Sequence, residues 1–204
     1  MDKKNEKPEV IVLLKKAWNL LEEYMKRETV NFAEHQHIKE SDARFIVCWE
    51  EADVPFQLGH FFYNVEDKSN FDFHLEMNMR SRNFEDYTFT EGLEKVKKKF
   101  KGKTLRVDFL IDDKSLNRLE VIGEVKYFRY SIENLSRGAR DVITEIGKDF
   151  EKLRALRENG VCNHTVYVVM DYYYHRNEPK TWNNIQNRLT KMGNSGIKVL
   201  KMAV

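Results

Sequence analysis

Three ionisable residues stand at positions that could form one catalytic centre. Asp108 lies in the middle of the apolar segment Leu-Arg-Val-Asp-Phe-Leu-Ile, and Glu124 and Lys126 lie two residues apart in Ile-Gly-Glu-Val-Lys-Tyr. Side chains alternate between the two faces of a β-strand, so Glu124 and Lys126 are predicted to share a face. The polar segment Asp-Asp-Lys-Ser-Leu-Asn between the two strands predicts a hairpin turn. With the turn at residues 114–118, Asp108 is expected directly opposite Glu124.

This arrangement of charges suits one hard divalent cation. Side chains opposite each other in an antiparallel pair have Cβ atoms about 4.5–5.5 Å apart, so two carboxylates can share a cation that prefers oxygen ligands. Lys126 could orient or deprotonate a water, or neutralise charge that develops on a phosphate. The alternative is a charge trio on a solvated sheet face. Against it, Leu110 and Ile122 make that face partly apolar, and uncompensated acids would repel; Lys126 or Arg106 could compensate them in part.

The order of these residues resembles the core of the PD-(D/E)XK nuclease superfamily, which includes type II restriction enzymes, archaeal Holliday junction resolvases and RecB-like nucleases. Asp108, fifteen intervening residues and then Glu124-Val125-Lys126 stand on a hairpin that precedes a long helix and a strand. The resemblance covers residues 50–175 and departs from the family motif at Val107, which stands in the place of the motif's proline; many members also lack that proline. It implies a restriction endonuclease-like α/β fold, with Asp108, Glu124 and Lys126 as the catalytic trio.

The same resemblance implies a metal cofactor, Mg²⁺ or Mn²⁺. The implied metal ligands are Asp108, Glu124 and Val125. Many family members add a glutamate from a helix before the sheet, and Glu51 is the expected counterpart, as an extra ligand or a partner of metal-bound water. An equal alternative is a helix-start carboxylate stabilised by the helix dipole. Glu50 is the neighbouring possibility, and Glu76 is expected either to face the cleft or to be solvated.

Basic residues offer candidate contacts for nucleic acid. Residues 95–103 hold six lysines in nine positions, a run that could contact phosphates. Such runs are more often solvated helix ends. Arg137, Arg140, Lys148 and Lys152 could likewise meet phosphates, and a solvated helix face is the default expectation for these four residues.

Periodicity predicts the elements that must position these residues. Helices are predicted over 8–34, from near 53, over 90–100, 136–158 and 180–192, and strands over 71–80, 104–111, 118–128, 164–173 and 197–204. In the first strand, Phe73 and Met77 are expected on one face. A hairpin followed by a β-α-β crossover implies a mixed sheet flanked by helices. One nuclease-like domain is expected over residues 1–204, with an N-terminal helical extension over 1–40 and a core over 50–175.

The composition bounds the class of protein. The 204 residues are 41% hydrophobic and 33% charged, which is typical of a globular domain with a charged surface. A net charge of +2 neither requires nor excludes nucleic acid. No apolar run approaches the roughly 20 residues of a membrane span, and the first nine residues lack a signal-peptide core, so a cytoplasmic location is expected. Cys48 and Cys162 lack metal-binding spacing and are expected to be buried thiols.

The resemblance, together with the geometry of the trio, implies a metal-dependent nuclease that hydrolyses phosphodiester bonds in DNA. DNA is the expected partner, and a homodimer would suit two-strand cutting because its two-fold axis matches that of a duplex. The first alternative is a nuclease-fold scaffold that binds nucleic acid or a protein without cutting. The second is a structural domain in which the trio is a coincidence.

Overall fold

The structure, a computed structural model, describes residues 9–37, 51, 53–65, 70–80, 89–102, 105–128, 139–171 and 178–203. Its helices are α1 (Val10–Gln36), α2 (Asp53–Tyr63), α3 (Thr90–Lys99), α4 (Ala139–Glu158) and α5 (Pro179–Asn194). Its strands are β1 (Phe71–Asn78), β2 (Arg106–Asp113), β3 (Arg118–Phe128), β4 (His164–Asp171) and β5 (Lys198–Ala203). Each predicted helix and strand is present. Among the helices in these ranges, none is long and apolar enough to cross a membrane.

The five strands form one mixed sheet in the order β1-β2-β3-β4-β5. Strands β1, β2 and β3 pair antiparallel, whereas β3, β4 and β5 pair parallel. The change of direction follows from the connections, because a short turn joins β2 to β3 and helices α4 and α5 provide the crossovers that parallel strands need. The predicted α/β fold with a mixed sheet is confirmed, as is the antiparallel hairpin of β2 and β3.

Helices cover both faces of this sheet. On one face, α1 and α2 contribute buried side chains from their apolar stripes, among them Leu14, Trp18, Leu21, Met25, Val54, Leu58 and Phe62. On the other face, α3, α4 and α5 do the same with Leu93, Val96, Ile146, Leu153, Leu156, Trp182, Ile185 and Leu189. Cys162 is buried on this second face, as expected, and Cys48 lies outside the described residues. The sheet therefore separates two hydrophobic cores.

Strand β1 changes faces at Glu76, so the expectation that Phe73 and Met77 share a face is wrong. Phe73 packs with α1 and α2, whereas Met77 packs with the core on the opposite face. The backbone of Glu76 has a φ of 49°, a left-handed conformation that interrupts the two-residue alternation of a strand. The flanking pairs of β1 and β2 place Glu76 beside Asp108.

A β-bulge sets the register of the β2–β3 hairpin. Ile111 pairs with Val121 and the next residue, Asp112, pairs with Leu119, which leaves Glu120 as an extra residue in β3. The bulge shifts every later pair by one position. In the unshifted register, each residue of β2 would lie opposite a β3 residue whose side chain projects from the other face of the sheet.

Beyond the bulge, Phe109 and Gly123 form the last pair before the candidate site. The Phe109 ring lies over Gly123 so closely that a Cβ at Gly123 would be 2.0 Å from a ring carbon. The same ring stacks on Phe73 with centroids 5.1 Å apart. Asp108 directly precedes Phe109 and Glu124 directly follows Gly123, so the two acids flank this last pair.

Candidate active site

Six charged side chains from four parts of the chain meet at one end of β3, on the face covered by α4. They come from the segment just before α2, from β2, from β3 and from α4. This carboxylate–lysine cluster consists of Glu51, Asp108, Glu124, Lys126, Asp149 and Lys152. The structure thus brings the predicted catalytic trio and Glu51 together, and it adds two residues from α4.

Asp108 is tied to the backbone of the neighbouring strand. Its Oδ2 accepts a hydrogen bond of 2.7 Å from the backbone N–H of Val125. The Val125 side chain is fully buried in the core beside α1 and α2, so only its backbone carbonyl oxygen could serve as the expected metal ligand. The contact holds the Asp108 carboxylate against β3, next to Glu124.

Glu124 is the most deeply buried acid of the cluster, with 4% of its side chain exposed. Burial raises the pKa of Glu124 well above its usual value, the charge of Lys152 opposes that rise, and repulsion from Asp108 and Asp149 adds to it. The two acids of the predicted trio therefore lie close enough to interact electrostatically.

Lys152 is the ion-pair partner of Glu124. Its Nζ lies 2.6 Å from Glu124 Oε1 and 3.6 Å from Asp149 Oδ1. It also donates a hydrogen bond of 2.9 Å to the backbone oxygen of Arg106. The contact with Glu124 is an ion pair rather than a directed hydrogen bond, because Oε1 accepts no well-directed hydrogen bond from the described residues. A cation bound at this oxygen would therefore replace the Lys152 ammonium group as its partner.

Lys126 lies between two other acids of the cluster. Its Nζ is 3.0 Å from Glu51 Oε1 and 3.8 Å from Asp149 Oδ2, and 18% of its side chain is exposed. Burial alone would lower the pKa of Lys126, but the negative charges of Glu51 and Asp149 outweigh it and hold the pKa above its usual value. Lys126 is therefore a charged ammonium group at neutral pH.

Glu51 reaches the cluster although it precedes Lys126 by 75 residues. Besides the ion pair with Lys126, its Oε2 accepts a long hydrogen bond of 3.4 Å from the backbone N–H of Tyr127. Glu50 lies outside the described residues. Glu76 is exposed and pairs with Arg106, so its carboxylate is bound at the surface.

Asp149 was not singled out from the sequence, and Lys152 was expected on a solvated helix face. That expectation is wrong for Lys152, of whose side chain 14% is exposed. Burial raises the pKa of Asp149, partly against the charges of Lys126 and Lys152, and its Oδ2 accepts a hydrogen bond of 3.4 Å from Tyr167. One signal was available, because Asp149 follows Ile146 by three residues and thus falls within the apolar stripe of its helix.

A scan against models of known protein families, a search of curated proteins and a search of solved structures each find no significant match to this chain. The resemblance to the PD-(D/E)XK superfamily accordingly stays a prediction.

A second group of charged residues lies nearer the turn of the same hairpin. One ligand atom each of Asp72, His74 and Asp112 lies within 4.8 Å of the other two. His74 Nε2 is 3.3 Å from Asp112 Oδ1, and Lys114 Nζ is 2.7 Å from Asp72 Oδ1. These four residues, called the histidine cluster below, form a second place where a cation could find ligands.

The lysine run at the end of α3 divides into two sets. Lys95 and Lys97 pair with acids of their own helix, Glu91 at 2.7 Å and Glu94 at 2.8 Å. The remaining described lysines are exposed and form no ion pair within the described ranges: Lys98, Lys99 and Lys101. Lys103, Arg137 and the side chain of Arg140 lie outside what the structure describes. The positive charges of this second set are therefore the ones in the run that could contact phosphates.

Proposed function

We propose that this protein is a metal-dependent nuclease with a restriction endonuclease-like fold, which hydrolyses phosphodiester bonds in DNA. The observation that carries the proposal is the meeting of Asp108, Glu124 and Lys126 in one largely buried cluster. Random placement of charges has no reason to bury two acids and a lysine together, because each buried charge costs free energy unless it is compensated.

The donor atoms of the cluster fit Mg²⁺ or Mn²⁺, which prefer oxygen ligands. Asp108, Glu124 and the backbone carbonyl of Val125 would hold the ion, and Glu51 lies near enough to Lys126 to contact a water beside it. When all six groups are ionised, the four carboxylates exceed the two ammonium groups by two negative charges, which one divalent cation would balance. Such an ion, when bound, polarises the phosphate and lowers the pKa of a bound water.

Lys126 serves the reaction as an ammonium group rather than as a base. The raised pKa of Lys126 keeps its proton in place through neutral pH. A fixed positive charge next to the reacting phosphate orients the attacking water and stabilises the negative charge that grows on the phosphate oxygens. Glu51 and Asp149, at 3.0 and 3.8 Å, hold that charge in position.

A plasmid-nicking assay tests this function. Supercoiled plasmid is incubated with wild-type protein or with Asp108→Ala, in Mg²⁺, in Mn²⁺ and in EDTA. We expect nicked or linear product from the wild type with either metal, and none in EDTA or from the variant. Equal cleavage by both proteins would contradict the proposal, as would the absence of metal-dependent cleavage of any DNA form by the wild type.

A scaffold that binds DNA without cutting is the second candidate, and one contact favours it. Lys152 already neutralises Glu124 at 2.6 Å, as a permanently metal-free cluster would require. A mobility-shift assay combined with calorimetric titration of Mn²⁺ separates the two functions. Binding of DNA with neither metal binding nor cleavage would support the scaffold.

A further inference from the structure

A groove of about 720 Å³ opens beside the carboxylate–lysine cluster, between the end of α3 and the middle of α4. Phe100 lines it from the α3 side, and Gly147 and Lys148 line it from α4. Asp149 and Lys152 line the same groove and are also members of the cluster. The groove therefore leads directly to the ionisable groups of the candidate site.

We infer that this groove holds an unpaired strand of the nucleic acid that the cluster cleaves, an inference that rests on the proposed function. Its volume lies within the range of small-molecule sites, so it accommodates roughly one or two nucleotides. A base-paired segment of the same length has about twice the volume of one strand, so the groove does not hold it. The substrate class is thus a single strand, or a duplex that supplies an unpaired strand at an end, at a junction or where negative supercoiling opens the helix.

The walls of the groove offer the two kinds of contact that single strands use. Phosphates find positive charge on Lys148, which is exposed, and on the neighbouring lysines Lys98, Lys99 and Lys101 at the end of α3. A base finds the partly buried ring of Phe100 to stack on, where it would take the place of Lys99, whose Nζ lies 5.9 Å from the ring centroid. A positively charged path combined with an aromatic platform is the usual arrangement of single-strand sites.

Each acid that lines the groove lies beside at least one cation. Glu151 pairs with Arg154 at 3.0 Å, and Asp149 lies near both lysines of the cluster. The negative charges that face a phosphate backbone are therefore partly neutralised, while the exposed lysines remain available to it.

Gly147 leaves space in the groove that a side chain would fill. A Cβ built at Gly147 meets no atom within 4 Å, so it would project into open space. Glycine is a poor helix former in the interior of a helix, so a leucine at this position does not weaken α4. Gly193 in α5 is an exposed glycine with equally open surroundings, which makes it a matched control.

Binding and cleavage by Gly147→Leu and Gly193→Leu test the inference. Binding of a labelled 15-nucleotide oligothymidylate, and of its duplex with oligodeoxyadenylate, is measured by fluorescence anisotropy in EDTA. Wild type is expected to prefer the single strand. Gly147→Leu should weaken single-strand affinity about tenfold, the size of losing one stacked base, and Gly193→Leu should change it less than about twofold, since it touches no groove contact. Thermal unfolding confirms that both variants are folded.

Two results would overturn the inference: unchanged single-strand affinity in Gly147→Leu, or a preference of the wild type for the duplex. Cleavage of the same oligonucleotides in Mg²⁺ keeps this inference distinct from the proposed function. If Gly147→Leu weakens single-strand binding but the wild type does not cleave, the groove is a binding site and the proposed nuclease function is wrong. Cleavage by the wild type that Gly147→Leu leaves unchanged would retain the nuclease and reject the groove.

Discussion

Strand β2 carries an acidic residue in each of two charged clusters, and the two clusters differ in their surroundings. Asp108 belongs to the carboxylate–lysine cluster, and Asp112, four residues later, belongs to the histidine cluster. In the histidine cluster the side chains of Asp72 and His74 are 32% and 27% exposed, and only Asp112 is buried, at 8%. In the carboxylate–lysine cluster Glu51 is 45% exposed at the rim, but the side chains of Glu124, Lys126, Asp149 and Lys152 are only 4% to 18% exposed.

The spacing of ligand atoms alone would favour the histidine cluster as the metal site, because three of its ligand atoms already lie within 4.8 Å of one another. The deeper burial of the carboxylate–lysine cluster makes that cluster the better candidate. Water-accessible ion pairs such as Lys114 with Asp72 cost little and contribute little, so they arise without selection for function. Several acids held out of water destabilise a fold, and the raised pKa of Glu124 reports that cost. A costly arrangement that persists is the better functional candidate.

The largest expected effect separates the two clusters by cleavage. Asp108→Ala removes a carboxylate ligand, so metal-dependent cleavage should fall on the order of 10³-fold or more, and the metal should be lost. His74→Ala removes the imidazole of the other cluster and should leave both properties nearly unchanged. Plasmid nicking and calorimetric titration of Mn²⁺ measure the two effects. A larger loss in His74→Ala would move the candidate site to the histidine cluster.

The lysines of the two clusters offer the next contrast. Lys126→Ala should lower the single-turnover cleavage rate on the order of 10²-fold while the metal stays bound, because Asp108 and Glu124 remain. Lys114→Ala should change that rate less than about twofold, as for an exposed ion pair. Should Lys126 be only a counter-ion, its removal would destabilise the fold and leave cleavage by the folded fraction near normal.

The pH dependence of stability provides a smaller effect. The pKa of Glu124 is raised in the folded state above its ordinary value of 4.5, so the stability linked to Glu124 is present below pH 4.5 and is lost as pH rises through the raised pKa. Glu124→Gln cannot ionise. Between pH 5 and pH 8 in EDTA, the free energy of unfolding of Glu124→Gln should therefore fall less than that of the wild type. The difference in slope corresponds to the proton, about one, that Glu124 of the wild type releases on unfolding.

Urea denaturation at a series of pH values measures this difference. Asp72→Asn, which removes a more exposed acid of the histidine cluster, is the control, and its difference from the wild type should be smaller than that of Glu124→Gln. Parallel curves for Glu124→Gln and the wild type would mean that Glu124 does not resist ionisation in the folded protein, and the contrast in burial between the two clusters would lose its energetic meaning.

The smallest effect concerns the lysines around the carboxylate–lysine cluster. Replacing Lys98, Lys99 and Lys101 with alanine should flatten the slope of log affinity for DNA against log salt by up to about three units. Lys15, Lys16 and Lys26, exposed on α1 across the sheet, form the control triple and should leave the slope unchanged. Equal slopes for both triple variants would mean that the α3 lysines are ordinary solvated side chains that do not contact DNA phosphates.

Much of the fold could be predicted from local patterns in the chain. Two-residue alternation and a polar turn specify the β2–β3 hairpin, and apolar residues at helical spacing specify α1 and α4. These signals are local, because they depend on which face of one element avoids water. They were enough to place Asp108, Glu124 and Lys126 on adjacent strands.

Other features depend on contacts between distant segments. Lys126 meets Glu51 from 75 residues earlier, and α4 supplies Asp149 and Lys152 only because it crosses over β3. The strands also break their own period where a bulge at Glu120 shifts the register and a left-handed residue at Glu76 reverses the faces. Periodicity carries no information about such irregularities or about which helix lies over which strand. Both result from how the helices and the sheet pack together, and that arrangement leaves four carboxylates and two lysines in one cluster.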